Sequence, residues 1–108
     1  MATQTQFPPQ DPEGYLINFS DWTESIAKQL AVLDQIDLTP DHWEILTFVQ
    51  EYYQTHQKSP GLRELIKAMK PVLGEEKSNS IYLFKLFPNG PAKQISKLAG
   101  LPKPIRCI

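Results

Sequence analysis

One cysteine in 108 residues leaves no possibility of an internal disulfide, and free thiols persist best in a reducing compartment, so a cytoplasmic setting is expected. No apolar run approaches the roughly 20 residues needed to cross a bilayer, which argues against a membrane role. The start, Met1-Ala2-Thr3-Gln4-Thr5-Gln6-Phe7, has neither the basic opening nor the apolar stretch of a secretory signal. There is no repeat and no low-complexity tract. A phosphate-cradling glycine loop, a cluster with metal-ligand spacing and a recognisable acid–base pair are also missing. No metal and no cofactor are therefore expected.

What the chain does have is ordinary bulk and an unusual end. Apolar residues make up 41%, enough for a single globular domain over residues 1–108 but not for a core plus an elaborate cleft. The lone cysteine, Cys107, stands one residue from the C-terminus in the tail Leu101-Pro102-Lys103-Pro104-Ile105-Arg106-Cys107-Ile108. Pro102 and Pro104 stop any helix and favour an extended arm, so the thiol is expected outside the core. An exposed thiol on a stiffened arm can reach into another protein's active site. Gly100 is expected as the hinge, and the prolines reduce the entropy lost when the arm enters a partner.

The net charge of −1 hides an asymmetry. Through Gln57 there are nine acidic residues against Lys28 alone; from Lys58 there are ten basic residues against Glu64, Glu75 and Glu76, leaving −8 and +7. Either a basic face lies near the arm or the two halves interleave and neutralise each other.

Local signals predict about five helices. Residues 1–12, with Pro8, Pro9 and Pro12, read as a loose arm, and Gly14–Phe19 as a short strand or hairpin. Asp21 and Glu24 resemble a capping box for a first helix burying Ile26, Ala27, Leu30, Leu33 and Ile36. Thr39-Pro40 starts a second helix through about Thr55, with Trp43, Ile45, Leu46, Val49, Tyr52 and Tyr53 on a wide apolar face. Ser59-Pro60 repeats that start, with Leu62, Leu65, Ile66 and Met69 following until Pro71 stops them. A fourth helix is predicted over Ser78–Phe87 with Ile81, Leu83, Phe84 and Phe87 inward. After the turn Pro88-Asn89-Gly90-Pro91, a fifth runs to Ala99, with Gly100 at its C′ position. The predicted fold is mainly α: an orthogonal helical array with a small N-terminal β-hairpin and a mobile C-terminal arm over residues 101–108.

His42 and His56 are separated by about 21 Å on a continuous helix, too far to share a metal. His42, at the third helical position, reads as structural, and Trp22, Trp43, Tyr52 and Tyr53 read as core. Lys93, Lys97, Lys103 and Arg106 flank the arm and are candidate contacts for an acidic partner or for phosphate, with a solvated helix face as the plain alternative.

Thr39-Pro40-Asp41-His42-Trp43-Glu44, Ser59-Pro60-Gly61-Leu62-Arg63, Leu86-Phe87-Pro88-Asn89-Gly90-Pro91-Ala92-Lys93 and Ala99-Gly100-Leu101-Pro102-Lys103-Pro104, with the penultimate Cys107, together resemble the DsrC/TusE family from about Asp11 to Ile108. Members that serve dissimilatory sulfite reductase carry a second cysteine eleven positions before the penultimate one; here that residue is Ser96. The resemblance therefore implies the single-cysteine branch. Such a protein is a persulfide carrier and sulfurtransferase that accepts sulfur on Cys107 from a TusBCD-like donor complex. It passes the sulfur to the tRNA 2-thiouridylase MnmA, with bound tRNA, for thiolation of the wobble uridine. A single-cysteine carrier in another sulfur-trafficking pathway is a second reading. A third is a DNA-binding helix-turn-helix built on Gln57-Lys58-Ser59 and a helix bearing Arg63, Lys67 and Lys70. Pro60-Gly61 stand where base-reading side chains belong, and this reading leaves Cys107 unused, so direct nucleic-acid binding is disfavoured.

Overall fold

The structure is a computed structural model that describes residues 8–104. Five helices occur among them: α1 (Glu24–Leu33), α2 (Pro40–His56), α3 (Leu62–Leu73), α4 (Ser80–Leu86) and α5 (Pro91–Leu98), preceded by a 3-10 turn at Phe19–Asp21. No helix is long and apolar enough to cross a membrane among the described residues. The short α5 packs against all four other helices. Pro91, Ala92, Gln94, Ile95, Ser96 and Leu98 are all buried, so eight residues form the hub of the domain.

The helix starts follow from side-chain acceptors for the unpaired N–H groups of each first turn. Thr23, not Asp21, caps α1, its Oγ1 accepting from the Ile26 N–H at 3.1 Å. Asn79 caps α4 through the Tyr82 N–H at 2.8 Å. At α2, with Pro40 at its first position, Nδ1 of His42 accepts from the Thr39 N–H at 3.1 Å while Nε2 lies 2.8 Å from the Leu86 carbonyl. A carbonyl only accepts, so Nε2 carries the proton and the neutral ring ties the start of α2 to the end of α4. His42 is structural, as the sequence predicts. His56 is exposed and stacks on Tyr52, with centroids 4.2 Å apart.

Several expectations need correction. The N-terminal hairpin is reduced to one isolated antiparallel bridge between Gln10 and Leu16, and no strand occurs among the described residues. Tyr15 and Leu16 are consecutive and both buried, which breaks the alternation of a strand, and Pro9 and Pro12 have no N–H to donate. Residues 11–15 nevertheless form a bonded turn, with Asp11 Oδ1 accepting from the N–H groups of Glu13 and Tyr15. Helix α3 begins at Leu62 and runs through Pro71 to Leu73. The proline removes one hydrogen bond late in a helix that tertiary packing already holds, Leu65 and Met69 being fully buried. Leu33, Ile81 and Phe84 are exposed, whereas Ala31, Leu83 and Phe87 fill the core beside Ile45, Leu46 and Val49.

Charge asymmetry between the halves is partly neutralised. Lys77 lies 2.8 Å from Glu44, Lys97 3.5 Å from Asp34 and Lys103 2.9 Å from Glu13, each joining the basic half to the acidic one. The hydrogen bond to Glu44 pushes the Lys77 ammonium up from its ordinary range. Burial, then the Asp41 carboxylate, pushes the Tyr82 phenol up.

Candidate functional site

Cys107 and Arg106 lie outside the described residues, as do residues 105 and 108. The site is therefore built from what holds the chain up to Pro104. The end of α5 is a Schellman motif: the Gly100 N–H donates to the Lys97 carbonyl at 3.2 Å and the Leu101 N–H to the Ser96 carbonyl at 2.9 Å. Gly100 takes φ +82°, a conformation that suits glycine. The remaining carbonyls are capped by side chains from elsewhere: Leu98 accepts from Nε1 of Trp22 at 2.7 Å, and Ala99 from Nε2 of Gln50 at 2.9 Å. Every carbonyl from Ile95 to Ala99 thus has a donor, the Ile95 oxygen being taken by the Ala99 N–H.

Beyond that turn the chain stays attached. Leu101 is fully buried in the core cluster. The Ser59 hydroxyl donates to the Pro102 carbonyl. Lys103 pairs with Glu13, and Pro104 is buried. Gly100, expected as a hinge, is instead wedged against Trp22: a Cβ on it would stand 2.7 Å from the Trp22 Cδ1. Residues 101–104 are part of the folded body, and the expected arm can begin only after Pro104. Cys107 follows by three residues, a reach of at most about 11 Å.

The expected cationic residues divide. Lys97 is committed to Asp34, whose other oxygen accepts from Nε2 of Gln94 at 3.4 Å, and Lys103 to Glu13. Lys93 is exposed, and the Tyr15 hydroxyl reaches its backbone carbonyl at 3.5 Å. Lys93 and Lys97 share an open cleft of about 210 Å³ with Glu13, Tyr15 and Asp34. Arg106 is not among the described residues. The anchors Trp22, Gln50, Ser59 and Glu13 were not identified from the sequence as residues serving the tail. No group of three potential metal-ligating side chains occurs among the described residues.

Ser96 is 1% exposed, and its hydroxyl has no hydrogen-bond partner among the described residues. A buried, unpaired hydroxyl costs free energy, and alanine both removes it and favours helix. Ser96→Ala is expected to be neutral or to stabilise by up to about 1 kcal/mol in urea unfolding; a loss of stability would show that the hydroxyl has a partner.

Proteins of known family resemble this chain over most of its length. A family model described as "DsrC like protein" matches residues 3–108. A Photorhabdus laumondii protein named Sulfurtransferase TusE is 54% identical over 98 residues, 91% of this chain and 88% of that one. A protein of the same name from Escherichia coli is 52% identical over 98 residues, covering 91% of this chain and 90% of its own. The solution structure of Allochromatium vinosum DsrC matches with a TM-score of 0.83 at 49% identity, covering 92% of this chain and 88% of that one. The oxidized gamma-subunit of dissimilatory sulfite reductase (DsrC) from Archaeoglobus fulgidus matches with a TM-score of 0.80 at 35% identity, over 94% and 92% of the two chains.

Proposed function

The chain belongs to the DsrC-like protein family and is a sulfurtransferase, and from that premise we propose that Cys107 is the group that carries the sulfur, in the relay that thiolates the wobble uridine of tRNA. The Cys107 thiolate attacks the outer sulfur of a donor persulfide. An S–S bond forms to Cys107, the donor's S–S bond breaks, and the donor leaves as thiolate. The acceptor enzyme's cysteine then attacks the outer sulfur of Cys107–S–SH and releases the Cys107 thiolate. Two exchanges of equal bonds need no external oxidant or reductant.

The observation that carries the reading is the anchoring of the chain as far as Pro104, with its only cysteine three residues further. A fixed exit at Pro104 lowers the ordering entropy to be lost when the chain end enters a partner's cleft. Arg106 is the nearer cation that would favour the thiolate, since the charge of Lys103 is shared with Glu13. The proposed setting is the cytoplasm, the donor a TusBCD-like complex and the acceptor an MnmA-like thiouridylase holding tRNA. Reconstitution with those proteins and unmodified tRNA tests the pathway. Wild type is expected to support 2-thiouridine formation, and Cys107→Ser to reduce it by about a hundredfold or more. Equal product from the variant would overturn Cys107 as the carrier, and product independent of this chain would place the carrier in another pathway.

A further inference from the structure

We propose that the groove between the start of α3, the end of α4 and the start of α5 docks the sulfur-donating protein, through an acidic segment of that protein that carries an apolar side chain. The proposal rests on the carrier reading and adds to it the surface that selects the donor. The groove encloses about 260 Å³, and Leu62, Phe84, Pro91 and Ala92 form its apolar lining. Phe84 is 47% exposed, and Ile81, one turn earlier on the same side of α4, is 81% exposed. Exposed aromatic and aliphatic side chains beside a concavity are the usual material of an interface centre.

Charge defines the occupant. Of the basic residues after Gln57 that the structure describes, Lys58, Lys77, Lys97 and Lys103 are held by carboxylates. Arg63, Lys67, Lys70, Lys85 and Lys93 are in no ion pair among the described residues. Lys93 lines the groove, Arg63 follows its Leu62 and Lys85 follows its Phe84. Lys67 and Lys70 continue the Arg63 face at helical spacing. An apolar lining with Lys93 in its wall, and with unpaired cations next in sequence to Leu62 and Phe84, complements an acidic surface bearing an apolar side chain. Nucleic acid fits less well, because Leu62, Pro91 and Ala92 offer nothing to phosphate. Of the two partners that the carrier reading requires, the acceptor presents tRNA, to which this apolar lining offers nothing, and the donor is left as the partner that brings an acidic surface with an apolar side chain. The exit of the tail is close by: Ser59, which holds Pro102, stands three residues before Leu62.

The test uses the full chain and a purified TusBCD-type donor complex as probe. Phe84→Ala and Lys85→Glu are each expected to weaken binding at least about tenfold and to slow sulfur loading at limiting donor by a similar factor. Val32→Ala, at an apolar residue of α1 that is 72% exposed and outside the groove, should leave both unchanged. Loading of Cys107 from inorganic polysulfide should be equal in all four proteins, as should their circular dichroism. Donor affinity at the wild-type level in both groove variants would overturn the proposal. So would a loss of affinity for a tRNA probe with donor binding intact, which would make the surface a nucleic-acid site. Failure of wild type to take sulfur even from polysulfide would instead overturn the carrier reading itself.

Discussion

Alanine at position 100 is expected to remove about 3 kcal/mol of stability, about twice the cost of alanine at position 90. Both glycines have positive φ, +82° at Gly100 and +111° at Gly90, so each substitution carries conformational strain of about 1–2 kcal/mol. They differ in space. Nothing lies within 4 Å of a Cβ built on Gly90, whereas on Gly100 it meets Trp22 at 2.7, 2.8 and 2.9 Å, at Cδ1, Cβ and Cγ. Those atoms belong to the root and near edge of the indole, so relief requires the whole side chain to shift. The shift would break the bond from Nε1 to the Leu98 carbonyl and leave that acceptor uncapped. Urea unfolding of the two variants reads the difference. Equal losses would mean that Trp22 does not hold the exit of the tail.

Leu101→Ala is expected to cost about 2–5 kcal/mol, and to impair transfer more than an equally buried truncation elsewhere. Leu101 is fully buried in the core cluster, and it is also the residue whose N–H closes the Schellman motif. Truncating it leaves a cavity under the point from which Pro102 to Pro104 depart. Leu83→Ala, at another fully buried leucine, supplies the comparison for stability alone. At a temperature where both remain folded, loading of Cys107 from the donor should be slower in Leu101→Ala only. If both variants load at the wild-type rate, anchoring of the exit contributes to stability and not to transfer.

How much of this was legible in the sequence depended on how local the cause was. Thr39-Pro40 marks the start of α2 because cap and proline act within one turn, and the predicted end near Thr55 lies one residue from His56. Gly100 was identifiable as the C′ residue for the same reason. Misplacements arose where two local signals competed: Asp21 or Thr23 could cap α1, and only the path of the 3-10 turn decides for Thr23. Pro71 and the inward face of α4 depended on packing, which a helical period alone does not supply. Ser59 had a clear local meaning as a helix start, yet its hydroxyl serves Pro102, 43 residues away. Trp22 to Leu98 and Glu13 to Lys103 are separated by 76 and 90 residues. Cys107 could be singled out from its place in the chain; the scaffold that presents it could not.

Intact mass spectrometry after incubation with a cysteine-desulfurase-driven donor tests the central claim most directly. Wild type is expected to gain about 32 Da, one sulfur atom, in a species removed by added thiol, and Cys107→Ser to gain nothing while keeping its fold. A sulfur adduct of the same size on Cys107→Ser, or none on wild type with a competent donor, would contradict the assignment of Cys107 as the carrier.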